Sequence, residues 1–137
     1  MSKFKVSEAA ALLGVSDDTI RRWADAGKLT LHKGATGRFE IDGAQLAPLA
    51  QALAGQSAIV DAFPNGLASA RNRLTGIVTR VTKDTVMAQV EIQAGPFRVV
   101  SLMSREAADE LRLEPGSLAV ATIKATNVGV ELPTGAK

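Results

Sequence analysis

VSEAAALLGVSDDTIRRWADAGKL, residues 6–29, punctuates two short helices and decides how the first half of the chain folds. Ser7 is placed to cap a helix over Glu8 to Leu13, with Ala10, Leu12 and Leu13 turned inward. Gly14 then stops it, since glycine accepts the left-handed conformation that follows a helix. Ser16 is a second cap. Asp17 and Asp18 favour a helix N-terminus there, the helix runs through Ala26, and Gly27 closes it. Helix, tight turn and second helix form a helix-turn-helix layout. Ile20 and Trp23 share one face of the second helix and anchor it, leaving Thr19, Arg21, Arg22 and Asp25 outward.

Outward from this core, KLTLHKGATGRFEI alternates around Gly34 and Gly37 and reads as a hairpin, with Lys28, His32, Lys33 and Arg38 near its edges and tip. Asp42 caps a further helix, Gly43 to Ala54. Past residue 56 the chain changes class. GQSAIVDAFPNGLASA carries breakers at Gly55, Pro64, Asn65 and Gly66 and suits a connector, although Ile59, Val60 and Phe63 are too apolar for a fully solvated one. From residue 74 Val, Ile and Thr dominate in short alternating runs.

Composition narrows the functions. The chain has 137 residues, no cysteine and one histidine, His32. A disulfide framework, a thiol nucleophile and a cysteine- or histidine-rich metal site are therefore excluded, and no side chain is expected to ligate a metal directly. A net charge of +2 implies no nucleic acid by itself. No run approaches 18 uncharged apolar residues, so a soluble, cytoplasmic protein with no membrane partner is expected. Paired carboxylates in a cleft, a Ser-His-Asp set and a phosphate loop are all missing from the pattern, which argues against an enzyme.

LTGIVTRVT, TVMAQVEI, FRVVSL, LAVATIK and NVGVEL are five strand candidates, with a helical SREAADEL between the third and fourth. That order is OB-like. Near Gly76 the first strand mixes both faces, which suggests a bulge or sharp coil. Phe97 is the only aromatic among the strands, too few for a single-strand stacking surface. Hydroxyls and cations collect at segment boundaries: Ser69-Ala70-Arg71-Asn72, Ser104, and Lys124-Ala125-Thr126-Asn127. A tetrahedral oxyanion wants such a set, with hydroxyl donors, unpaired amides and one or two cations, provided Glu106 points away.

Two resemblances fit these halves. The run from Val6 to Leu29, with the glycine-containing hairpin and GRFEID after it, resembles the winged helix-turn-helix head of the MerR and excisionase-like families. The resemblance implies that the second helix enters the DNA major groove while the wing lies on the backbone. Thr19, Arg21 and Arg22 would then contact bases or phosphates, and Lys33 and Arg38 would be wing contacts. The long dimerisation helix of full-length MerR regulators does not follow.

SARNRLTGIV, SREAADELRLEPG and VATIKATNVGVEL resemble the Mop or TOBE domain of molybdate-binding proteins. The resemblance implies molybdate or tungstate held at interfaces between barrels by Ser69, Arg71, Ser104, Lys124, the backbone of Ala125, and Thr126. One departure is Ala107, where members of that family often carry a second hydroxyl.

Together these give two domains, a mainly α winged helix-turn-helix and then an all-β OB-like small barrel with one short helix. The expected boundaries are 1–56 for the DNA-binding domain, 57–68 for a linker and 69–137 for the oxyanion domain. The function that follows is a molybdate- or tungstate-responsive transcriptional regulator binding double-stranded DNA, a homo-oligomer (dimer or hexamer) through its C-terminal domain. The alternative is a molbindin-like storage or homeostasis protein.

Overall fold

The computed structural model describes residues 2–135. They divide into two compact units, one reaching Val60 and taking in the tail from Glu131, the other running from Asp61 to Val130.

The first unit opens with β1 (Lys3–Lys5), an element its short K-F-K alternation does not announce. It leads directly into α1 (Val6–Leu13), followed by α2 (Asp17–Asp25), β2 (His32–Lys33), β3 (Phe39–Asp42) and α3 (Gly43–Gly55). The strands form an antiparallel sheet in the order β1-β3-β2, in which Phe4 lies opposite Ile41 and Lys5 opposite Glu40. Because β1 feeds α1 without a loop, the helix begins one residue before the expected Ser7 cap. The carboxylate of Glu8 accepts the Lys5 N–H at 2.8 Å in that cap's place. The buried stripe is Val6, Ala9 and Ala10, continued by the half-buried Leu13, at i, i+3, i+4 and i+7. Leu12 falls off that stripe and is 64% exposed, contrary to its expected inward position.

Ser16 caps α2 as the sequence predicts: its Oγ accepts the Thr19 N–H at 3.1 Å. Gly14, at φ 68°, supplies the left-handed turn between the helices. Ile20, Leu29, Ile41 and Leu46 close the core, with Trp23 and Ala24 packed against it. Asp42 stands at the start of α3 without making a side-chain cap, and its carboxylate lies 3.8 Å from His32 Nε2. A short α4 (Ala58–Ala62) occupies the expected linker, and Ile59, Val60 and Phe63 on and beside it are exposed.

The second unit is a curled antiparallel sheet of β4 (Asn72–Lys83), β5 (Met87–Ala94), β6 (Phe97–Ser104) and β7 (Leu118–Ile123), ordered β6-β5-β4-β7, with α5 (Arg105–Glu110) between β6 and β7. In β5, Ala88, Val90, Ile92 and Ala94 face inward in strict alternation. Val78, Val90 and Ile92 form the core, covered by Val81, Val99, Met103, Leu113, Ala119 and Ala121. The bulge sits between Val78 and Arg80 rather than at Gly76. Gly76 instead makes room for β5, because a Cβ there would lie 2.3 Å from the Gln93 carbonyl oxygen.

The expected fifth strand is not formed. After β7 a 3₁₀ turn, Ala125–Asn127, redirects the chain, and Val128 to Leu132 pair with no strand among the described residues. Gly129 and Pro133 weaken strand formation there, and Val130 is 93% exposed.

Candidate functional site

Two sets of polar groups stand out, one in each unit. In the first, α2 presents Thr19, Arg21 and Arg22 on its outer side, and each is already engaged. The Thr19 hydroxyl lies 3.0 Å from Ser16 Oγ and accepts from Arg22 Nη2 at 3.1 Å. Cap and hydroxyl therefore aim the Arg22 guanidinium along the helix. Arg21 likewise reaches back three residues, its Nη1 3.7 Å from the Asp18 carboxylate, with both groups largely in solvent, where such a pair contributes little.

Arg21 shares a cleft of about 310 Å³ with Lys5, Val6, Ser7, Asp17, Arg38 and Phe39. Arg38 and Arg21 thus come together, whereas Lys33 and Arg22 do not line that cleft. Sequence reasoning misses Lys5 and Phe39. The one available signal is the charged-apolar-charged Lys3-Phe4-Lys5, three residues that become a strand only because β3 is there to pair with.

In the second unit the ladder decides which boundary residues meet. Asn72 opposes Ile123 at the start of β4, and its Nδ2 donates to the Ile123 carbonyl at 3.1 Å. That pairing brings the chain leaving Ser69-Ala70-Arg71 beside the chain entering Lys124-Ala125-Thr126. Ser69, Arg71, Lys124 and Thr126 are all exposed there. Ser104 lies elsewhere. It pairs with Met87 next to the Lys83–Ala88 pair, at the other end of β4. Eleven steps of strand, about 36 Å if straight, separate the two ends.

Ser104 Oγ accepts the Ala107 N–H at 3.1 Å as the cap of α5. Its surroundings are acidic: Glu106, Asp109 and Glu110 line the same cleft, so Glu106 does not point away from this end. Asp109 accepts from Lys83 Nζ at 2.5 Å, and that hydrogen bond chiefly holds its carboxyl below the ordinary carboxylate range. Asp84 is lowered too, by the backbone N–H groups of Met87 and then Val86, which tie the β4–β5 turn. Among the described residues no cluster of His, Cys, Asp and Glu could hold a metal ion, and no helix is long and apolar enough to cross a membrane.

Each part matches a family of binding or regulatory proteins. The family model of the MerR family regulatory proteins matches residues 5–38, and that of the TOBE domain matches residues 68–130. A molybdate-binding protein from Sporomusa ovata is 30% identical over 49% of this chain and 100% of its own, with a TM-score of 0.47. MopII from Clostridium pasteurianum is 33% identical over 48% of this chain and 100% of its own, with a TM-score of 0.46. The cytoplasmic molybdate-binding protein ModG, in a form with molybdate bound, is 38% identical over 50% of each chain, with a TM-score of 0.48. This chain therefore spans half the length of ModG. No curated protein matches. The family models thus find a TOBE domain in the second unit and a MerR-like region in the first.

Proposed function

We propose that the protein is a DNA-binding transcriptional regulator that responds to molybdate, with tungstate as a near-isosteric substitute. The head acts as a winged helix-turn-helix, with Thr19, Arg21 and Arg22 on the DNA and Lys33 and Arg38 on the wing. The oxyanion sits between copies of the second unit, among Ser69, Arg71, Ser104, Lys124, the Ala125 backbone and Thr126. No catalytic step is assigned to the chain. A cytoplasmic location agrees with that of ModG.

One observation carries the reading. The Asn72–Ile123 pair puts the segments carrying Ser69 and Arg71, and Lys124 and Thr126, next to one end of β4, while Ser104 stands at the other. The set supplies two cations and three hydroxyls, which suits a doubly charged tetrahedral ion. One copy cannot gather it, so two copies in opposed orientation are what would bring Ser104 to the cationic end. If the heads are spaced by that assembly, ion and operator strengthen one another by the same factor.

Calorimetry with molybdate, tungstate and sulfate, with molecular mass followed in each state, tests it. The wild type is expected to take up molybdate and tungstate, and Arg71→Ala and Lys124→Ala to lose both. Wild-type silence toward all three ions removes the sensor. Stoichiometric uptake of several ions per particle, with no effect on DNA affinity, would turn the reading to storage.

A further inference from the structure

The cleft on the head has features that neither helix explains alone. Three cations from three separate stretches of sequence converge on it: Lys5 at the end of β1, Arg21 on α2 and Arg38 just before β3. The convergence is built by the sheet. β1 pairs with β3, which sets Lys5 in register with Glu40, two residues from Arg38, and β1 runs without a loop into α1, which packs on α2. The Glu40 carboxylate does not fill the cleft; it lies where a Cβ on Gly34 would be, 2.5 Å away. Lys5 and Arg38 have no ion pair among the described residues, and Arg21 has only the loose contact with Asp18. Asp17 also lines the cleft and opposes an anion there. Phe39 forms an apolar wall and is 49% exposed, although its strand neighbour Ile41 is buried.

We propose that this cleft seats one backbone phosphate of double-stranded DNA, held by Lys5, Arg21 and Arg38 with the Ser7 hydroxyl beside them, while Phe39 rests on the adjoining deoxyribose. The assignment rests on the DNA-binding reading and sharpens it. Arg21 becomes a positioning contact that carries no sequence information, and Arg22, held outside the cleft by Thr19, is the arginine left to reach base edges. A phosphodiester has the right chemistry: a single negative charge matches three cations offset by Asp17 and Asp18, and the sugar beside it is apolar enough for a phenyl ring.

The test uses the full chain and a fluorescein-labelled duplex of mixed sequence, about 24 base pairs long so that it spans two turns. Anisotropy is followed between about 50 and 300 mM KCl. Lys5→Gln and Arg38→Gln are each expected to flatten the plot of log affinity against log salt, by at most about 0.9, the share of one phosphate. Each is also expected to weaken binding several-fold at 100 mM, with Trp23 fluorescence confirming an intact head. Asp17→Asn is expected to tighten binding about threefold, the opposite of what loss of a first-turn acid does to a helix. Calorimetry with inorganic phosphate alone is expected to show no uptake at millimolar concentration.

If Lys5→Gln and Arg38→Gln keep the wild-type slope while Arg22→Gln lowers it, the cleft is not a phosphate seat and the DNA reading stands. Uptake of free phosphate that Lys5→Gln abolishes would make the cleft a soluble-anion site and overturn the assignment. A wild-type protein that ignores the duplex at the lowest salt overturns both.

Discussion

Ile20 and Ile41 are wholly buried in the first unit, inside a seven-residue core with as many partly buried hydrophobic residues packed against it. The second unit buries Val78, Val90 and Ile92 comparably, yet leaves Ile77, Phe97, Val100, Leu102 and Leu118 on its surface, Leu102 at 68%. The head closes its core with its own chain, although Leu12 and Phe39 stay exposed there too. Under the proposed function, the apolar residues left out on the sheet are what a second copy would cover. Under the proposed function, the head would stand preformed before it meets DNA, whereas the sheet would gain burial as copies assemble around an ion.

The largest effects should separate the two units. Ile41→Ala removes a fully buried side chain from the head and is expected to cost about 3 kcal/mol. That lowers the melting transition seen by Trp23, the single tryptophan, by more than about 10 °C. Gly76→Ala forces a Cβ against the Gln93 carbonyl and is expected to cost the sheet about 3 kcal/mol, visible in its circular dichroism transition, while the Trp23 transition holds. If either substitution moves both transitions together, the units are one cooperative body and the contrast fails.

Concentration gives the next effect. A tenfold rise in protein concentration is expected to raise the sheet transition by several degrees through mass action and to leave the head unchanged. Equal behaviour of the two would mean that the exposed sheet residues are simply surface.

Ser16→Ala is smaller, about 1 kcal/mol, because it removes the cap of α2. It also frees Thr19, so the variant should lose more discrimination between DNA sequences than Arg21→Gln does, measured as a ratio of affinities for two duplexes. The smallest effect is acid-specific. The folded Asp109 carboxyl lies below its unfolded value of about 3.8, so its contribution is complete above that pH and disappears as pH falls through the folded value. Asp109→Asn is expected to flatten the acid limb of sheet stability below about pH 4 and to change little at pH 7.

Much of this is legible in the chain. Ser16, Gly14 and Gly27 mark the helices because capping is local chemistry, and the alternation in β5 marks its inward face for the same reason. Leu12 misleads because three alanines at residues 9–11 hide the true stripe: only the tertiary partners decide whether Ala10 turns in with Leu13 or with Leu12. β1 is invisible in the sequence because three residues make a strand only opposite β3. The alternation of Val128, Val130 and Leu132 points to a fifth strand, but alternation supplies faces and not a partner edge. At the candidate oxyanion set the residue types are readable, whereas their division between the two ends of β4 depends on register.

The pairing of Asn72 with Ile123 also fixes where the tether to the head begins. Between α4 and β4 the nine residues Phe63–Arg71 contain no helix or strand. One of them is already held to the sheet, since Arg73 Nε donates to Asn65 Oδ1 at 3.0 Å. Under the proposed function, an ion that grips Ser69 and Arg71 would pin the last three as well. Metal status would then be written into the connector itself, without any element having to change shape.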